Sequence, residues 1–272
     1  MENLTIFDTI DEDLARTVSR RRALSEGGSK FAMGAMMLSA PLALAAMARS
    51  AFAQGIPQQI TDVLNLALTL EYLEAEFYVT GLNASGLIPA DKTDVFDQIR
   101  KHEVAHVAFL QSVLGAAAVS KPQFDYTAGN GSGNGPFVGV FSDFNIFAAV
   151  AQAFEDTGVR AYKGQAGNLM SNDAILTAAL QIHSVEARHA AMVRRCRGNK
   201  AWITRAITDI PGTRAVYAGE ANVVQNGIRV TSVTRVGKNG GATSTVDAVT
   251  EAFDEPLSKE RVLAIVDPFI VG

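Results

Sequence analysis

One cysteine, Cys196, serves the whole chain of 272 residues. No disulfide can close within the chain, so stability has to come from packing or from bound ions. The same scarcity excludes an electron-transfer module built on four thiolates. Charge of one sign is also lacking: 24 basic and 28 acidic side chains leave a net charge of −4. That balance excludes the basic footprint of a nucleic-acid binder. A long apolar span is missing too. The strongest run, from Phe31 to about Ala48, is short and rich in Ala, Gly and Ser, against the ~20 apolar residues a membrane span needs. Finally, the glycine-rich stretch Gly129–Pro136 has no Lys-Ser/Thr ending and no strand-like run before it, which argues against a phosphate-binding loop.

The first segment does carry a pattern. Ser19-Arg20-Arg21-Arg22-Ala23-Leu24 precedes the apolar run, and Ala51-Phe52-Ala53 follows it with small residues at −3 and −1 ahead of Gln54. Basic region, apolar region and small-residue cleavage site are the order of an export signal, and the paired arginines give it the look of a twin-arginine signal. Residues 1–53 are therefore expected to be removed on the way to a periplasmic or otherwise exported location, with the export machinery as a transient partner. The alternative is a retained membrane anchor. Residues 1–53 hold six basic and six acidic side chains, so the remainder keeps the charge of −4.

Beyond Gln54, apolar residues recur at helical spacing in four segments. Leu64, Leu68, Glu71, Ala75 and Tyr78 fall on one face of a helix expected over Thr61 to about Thr80. Gly81 and the Gly86–Pro89 region are expected to end it. A second helix starts at Asp91 or Thr93 and runs to about Ala117, with Phe96, Ile99, Glu103, His106, Leu110 and Val113 inward. Residues 121–142 lose all periodicity and read as one long crossover. Asp143 caps a third helix to about Leu169, with Ala148, Ala151, Gln152, Glu155, Val159 and Tyr162 inward. Ser171 or Asn172 opens a fourth, to about Arg195, with Ile182, Glu186, His189 and Val193 inward. Short loops with one long crossover suit a four-helix bundle over 54–197. The tail, 198–272, is expected to be a mixed extension with a small hairpin and short helices, packed on it. Val223–Val230 reads as two short strands around Asn226-Gly227, Gly237–Gly241 as loop, and Ser258 as the cap of a last short helix stopped by Pro268.

The inward faces carry acids that a core would not otherwise accept. Glu71 is followed after 32 residues by Glu103, with His106 three further on. Glu155 is followed after 31 residues by Glu186, with His189 three further on. Helices two and four superpose at an offset of 83 and helices one and three at 84, so the pattern is a duplicated helical hairpin. In Glu-x-x-His the two side chains lie one turn apart on the same face and reach one ion. Four buried carboxylates side by side need a cation to neutralise them. Carboxylates with one imidazole per ion suit iron or manganese, so two Fe or two Mn ions are the expected cofactors.

Around this set stand weaker candidates. Glu74, one turn after Glu71, could add a shifting seventh ligand, although its counterpart in the duplication is Gly158. His183 lies one turn before Glu186 and could support the ligands from behind. Tyr78 and Tyr162 share the ligand faces, and a hydroxyl bonded to a carboxylate suits them better than redox work. His102 falls one residue off the ligand face and reads as a surface histidine.

At these residues the chain resembles the ferritin-like superfamily, and more narrowly the exported ferritin-like proteins of the desiccation-related type. Leu68–Tyr78, Glu103-Val104-Ala105-His106, Val185-Glu186-Ala187-Arg188-His189 and the softer match Ala252–Leu257 carry the resemblance. It implies an all-α core with a left-handed bundle and a carboxylate-bridged dinuclear site at Glu71, Glu103, His106, Glu155, Glu186 and His189. It does not choose an activity. Three readings stand: a dinuclear-metal oxidoreductase of ferroxidase, peroxidase or catalase type acting on dioxygen, peroxide or ferrous iron; a metal-binding, stress-protective protein without turnover; and an iron store. The large mixed tail counts against the last, and assembly into a homo-oligomer is left open.

Overall fold

The structure is a computed structural model that describes residues 55–232, 234–235, 242–243 and 245–272. The expected export segment and the Gly237–Gly241 loop lie outside the described residues. Four long helices form the core: α1 Gln58–Asn83, α2 Thr93–Leu114, α3 Phe144–Gln165 and α4 Asp173–Cys196. A 3-10 turn, Gly115–Ala117, follows α2 and another, Ala166–Leu169, follows α3. None of the described helices is long and apolar enough to cross a membrane.

Local chemistry sets the helix starts. Asp143 caps α3 by accepting from the Asn145 N–H at 2.7 Å, and Asn172 caps α4 by accepting from the Ile175 N–H at 3.1 Å; each satisfies a donor that the first turn leaves open. α1 departs from expectation at its end, running through Gly81 to Asn83. Gly81 does not break it because this glycine serves packing. A Cβ there would stand 2.2 Å from Cε2 of Phe147, and the space lets the Phe147 ring stack on Phe77 with centroids 4.7 Å apart.

Burial on α2 follows the expected stripe, namely Phe96, Ile99, Glu103, His106, Leu110, Val113 and then Leu114. α3 is different, being buried around most of its circumference from Phe147 to Tyr162. The C-terminal extension covers its second face, so α3 is the central helix of the molecule. The apolar core divides into two layers. One holds Phe77, Phe96, Ile99, Phe147, Phe154 and Val193. The other holds Leu64, Leu68, Leu110, Leu169, Ile175 and Ile182. The buried acids belong to the same inward stripes, with apolar residues on either side along each helix.

The crossover is an ordered loop. The Asp125 carboxylate accepts from the Thr127 N–H and hydroxyl and from the N–H groups of Gly131 and Gly133, at 2.6–3.0 Å. Gly131 and Gly133 take positive φ, 86° and 68°, which glycine adopts without strain. Phe124 bridges to Ile270, and the Asp125 N–H donates to the Phe269 carbonyl at 2.8 Å.

The extension holds the hairpin β1 Val224–Gln225 and β2 Ile228–Arg229, turned by Asn226 and Gly227 at φ 49° and 80°. Beyond expectation it adds a second two-residue pair, β3 Thr234–Arg235 with β4 Ala242–Thr243; the short helix α5, Val246–Thr250, is one of the short helices expected there. α6, Lys259–Val266, is capped by Ser258 and followed by a 3-10 turn through Pro268. The Leu257 N–H donates to the Arg160 carbonyl at 3.0 Å. A Cβ at Gly164 would stand 1.9 Å from the Leu257 carbonyl oxygen, so backbone meets backbone there.

Arg160 joins α3 to the extension. It is fully buried and donates to the carbonyls of Glu255, Val216 and Ala218, with Nε 2.8 Å from Glu220 Oε1. Burial lowers the Arg160 pKa and raises that of Glu220 to about 7. Both partners are thus biased toward their neutral forms, so burial outweighs the attraction within the pair.

Candidate metal centre

Four helices each deliver one carboxylate to the same place. Glu71, Glu103, Glu155 and Glu186 are all 0 % exposed, with His106 and His189 buried beside them. Among the described residues two sets converge: Glu71, Glu103, His106 and Glu186, and Glu103, Glu155, Glu186 and His189, each offering one atom with all such atoms within 4.8 Å of one another. Glu103 and Glu186, the acids of the two Glu-x-x-His turns, belong to both sets. The two outer acids, Glu71 and Glu155, belong to one each.

The histidines face inward through Nδ1. His106 Nδ1 lies 3.1–3.2 Å from Glu71 Oε2, Glu103 Oε2 and Glu186 Oε1. His189 Nδ1 lies 2.7 Å from Glu103 Oε1, 3.3 Å from Glu155 Oε2 and 4.0 Å from Glu186 Oε2. The two rings differ in what these distances mean. His106 makes hydrogen bonds to Glu71 and Glu103. His189 Nδ1, Glu103 Oε1, Glu155 Oε2 and both Glu186 oxygens make none. Buried polar atoms without partners are rare and costly. Here five of them lie together, and all five belong to the second set. A cation beside His189 Nδ1, Glu103 Oε1 and Glu155 Oε2 would give these atoms the partner they lack, so the donor set fits a metal ion.

Electrostatics point the same way. Burial pushes Glu155 and Glu186 up to about 8, and Glu103 well above the usual carboxylate range. Burial raises Glu71 as well, but His106, Glu103 and Tyr162 outweigh it and hold this acid below its ordinary value. Burial opposes a charge on His106, yet Glu71 and the bonds to its three acids push its pKa well up. For His189 burial prevails, and its pKa falls. Without metal the cluster therefore holds protons that an ion must displace.

The tyrosines cross over. Tyr78 on α1 donates to Glu155 Oε1 of α3, and Tyr162 on α3 donates to Glu71 Oε1 of α1, each at 2.5 Å. Burial pushes both phenols well above their ordinary pKa, so each remains a proton donor. The duplication visible in sequence is thus a pseudo-twofold in the site.

Three side chains break this symmetry. Glu74 is 2 % exposed, and burial pushes its pKa well up, with Glu186, Glu155 and Glu71 adding to the effect. Its counterpart Gly158 leaves room: a Cβ there would stand 3.3 Å from Glu186 Oε2 and 3.4 Å from Glu74 Oε1. Glu74 is nevertheless outside both convergent sets. His183 is half-buried on α4; its Nε2 has no hydrogen-bond partner and it joins neither set. The third is His102, for which the surface expectation does not hold. Its Nδ1 lies 2.8 Å from His189 Nε2, with the rings stacked at 5.1 Å and 12°. His102 stands four residues before His106 and so borders the ligand stripe. That spacing was the available signal, and only the packing of α2 against α4 shows that it meets a histidine.

Residues 59–199 match the ferritin-like domain family. The match spans just over half of the chain, and the chain belongs to this family. No curated protein matches it.

Proposed function

We propose that this chain is an exported ferritin-like protein whose bundle would hold two iron or two manganese ions, with Glu103 and Glu186 shared between the two half-sites, and that it carries out redox chemistry on dioxygen, peroxide or ferrous iron. The observation that supports this most is the group of five unpartnered atoms between α2, α3 and α4. When bound, such a pair of ions supplies redox equivalents and Lewis acidity at positions the protein leaves open. His106 with Glu71, and His189 with Glu155, would complete the two half-sites. Tyr78 and Tyr162 hold Glu155 and Glu71 by their outer lone pairs, which fixes the inner oxygens and keeps the hydroxyl protons at hand. Glu74, biased toward its protonated form beside Glu186, is placed to give or take a proton or to swing into a seventh ligand position. The apolar residues flanking the acids along each helix limit water around them.

A second reading keeps the metal but not the turnover. The same buried acids would make a cation a structural cross-link between four helices, as in a stress-protective protein of the desiccation-related type. The absence of a thiolate electron donor favours it. An iron store is the third reading, and the 75-residue extension weighs against it. Elemental analysis of protein purified from the exported fraction tests the metal. Peroxide consumption and ferrous-iron oxidation, in wild type and in Glu186→Ala, separate the readings. Rates abolished in the variant support redox function; equal slow rates under both Fe and Mn loading would move the conclusion to a structural ion. Replacing Arg20 and Arg21 by Lys tests export, with the precursor expected to stay in the cytoplasm. Intact protein kept in the membrane with residues 31–48 would overturn cleavage.

A further inference from the structure

The two half-sites are duplicates in sequence, but only one has a histidine behind its histidine. His189 Nε2 meets His102 Nδ1 at 2.8 Å, and His102 Nε2 lies 2.7 Å from Gln98 Nε2 one turn earlier on α2. Gln98 is exposed and His102 half-buried, so the line runs from the surface to the buried ring. At the duplication offset of 83, His102 corresponds to Val185 on α4. No equivalent imidazole can stand behind His106.

We propose that His102 is a positioning residue that sets the tautomer and orientation of His189, and thereby makes the half-site of Glu103, Glu155, Glu186 and His189 the first to take an ion. This rests on the dinuclear reading above. A neutral imidazole carries one N–H, and the hydrogen bond made by one nitrogen decides which nitrogen is free to ligate. His102 accepts the His189 Nε2–H at its own Nδ1. His102 Nε2–H then donates to the Gln98 side-chain oxygen, which a half-turn of the amide puts where Gln98 Nε2 stands in the structure. His189 Nδ1 is left as a lone pair facing three carboxylates.

The geometry around Nδ1 agrees. It stands 2.7 Å from Glu103 Oε1 yet makes no hydrogen bond to it. His106, with no histidine behind it, does hydrogen-bond through Nδ1 to Glu71 and Glu103. One ring nitrogen faces the cluster without a hydrogen bond, the other is hydrogen-bonded to two of its acids. Residues behind a ligating histidine typically change metal affinity by about 10–100-fold when removed.

The test uses chelator-treated protein labelled with 15N at histidine, at pH 7.5. The chain has only four histidines, so a long-range 1H–15N spectrum with a His189→Gln control assigns them. The expected pattern at His189 is Nε2–H with a free Nδ1. In His102→Leu it is expected to shift toward Nδ1–H, and in His102→Asn, which keeps an acceptor oxygen, to return. Titration with Zn2+ alone then reads the two binding steps. The first step is expected to weaken about 10–100-fold in His102→Leu and to recover in His102→Asn, while the second stays within about twofold. Nδ1–H at His189 in the wild type would overturn the proposal. So would His102→Leu weakening both steps equally, or neither. A wild type that binds no Zn2+ but shows the His102-dependent tautomer would sink the dinuclear reading and leave the positioning role standing.

Discussion

Stripping the metal should make stability fall as pH rises, the reverse of what ligand carboxylates confer when an ion is bound. A group whose pKa is raised by folding binds protons more tightly in the native state. Its stabilising effect is complete below the unfolded value and is lost as pH climbs toward the folded one. Glu155 and Glu186 stand at about 8 against an ordinary 4.5, and Glu103, Glu74 and His106 are shifted upward too. The lowered histidines, His102, His183 and His189, act in the opposite sense, but only below their unfolded value of 6.5. Glu71, lowered from 4.5, acts lower still. The clean window is therefore pH 6.5 to 8. Across it, one acid at about 8 removes roughly 2 kcal/mol, at about 1.4 kcal/mol per pH unit with the slope fading near 8. Because neighbouring acids share protons, the cluster titrates as a unit, and two such acids alone account for roughly 4 kcal/mol. For a domain of this size that is a fall in Tm of roughly 5–15 °C.

The assay is far-UV circular dichroism melting of chelated and loaded protein at half-unit steps through that window. Glu220 also contributes a falling limb, which starts near 4.5 and fades near pH 7, but it is present with and without metal. The informative quantity is the gap between the two melting curves, expected to widen with pH because metal binding displaces protons and stabilises by mass action. Glu186→Gln, isosteric and uncharged, should flatten the chelated curve. A chelated protein whose Tm is flat or rises from pH 6.5 to 8, with Glu186→Gln behaving as wild type, would refute the reasoning. The acids would then not hold protons in the fold.

Two further outcomes test the supports of the site. Arg160→Met should destabilise by about 3–5 kcal/mol, because it leaves Glu220 and three carbonyls buried without their donor; the double variant with Glu220→Gln should recover part of that, as read by urea denaturation, and an unrecovered double would deny the pairing. Tyr78→Phe and Tyr162→Phe should each lower metal affinity about 10-fold or more through Glu155 and Glu71 respectively, by competition with a chromophoric chelator, with a change in Tm of the loaded protein; unaltered affinity in both would remove the tyrosines from the site's support.

How much of this was legible in the sequence depended on whether a residue acts within its own helix or across helices. The inward stripes of α2 and α4, the caps Asp143, Asn172 and Ser258, and the Asn226-Gly227 turn are local matters of period and turn chemistry. The six converging residues were readable because the duplication repeats them at a fixed offset. What was not readable depends on distant chain. Gly81 looked like a helix terminator because nothing local announces that Phe147 will fill its missing side chain. His102 looked exposed because its neighbour comes from α4, 87 residues away. The second buried face of α3, with Arg160 at its centre, is set by the extension, whose strands β3 and β4 and helix α5 are too short to leave a periodic pattern.

The departures from the duplication are the best handle on how the site is tuned, and Gly158 tests the sharpest of them. Gly→Ala in a helix interior ordinarily stabilises by about 1 kcal/mol. At Gly158 the added methyl would stand 3.3–3.4 Å from Glu186 Oε2 and Glu74 Oε1, close enough that one acid must give way by a few tenths of an ångström. In chelated protein that movement is easy, since the two carboxyl groups repel each other as charges and share the space as acids. Gly158→Ala should then leave Tm unchanged or slightly raised. In loaded protein Glu186 would be held between two ions and could not retreat, so the strain falls on the metal, and affinity should drop about 10-fold. A variant that is stabilised without metal and weakened with it is the expected signature. Equal affinity for metal in Gly158→Ala and wild type would mean that Glu186 is free to move when loaded, and would remove it from the shared position proposed for it.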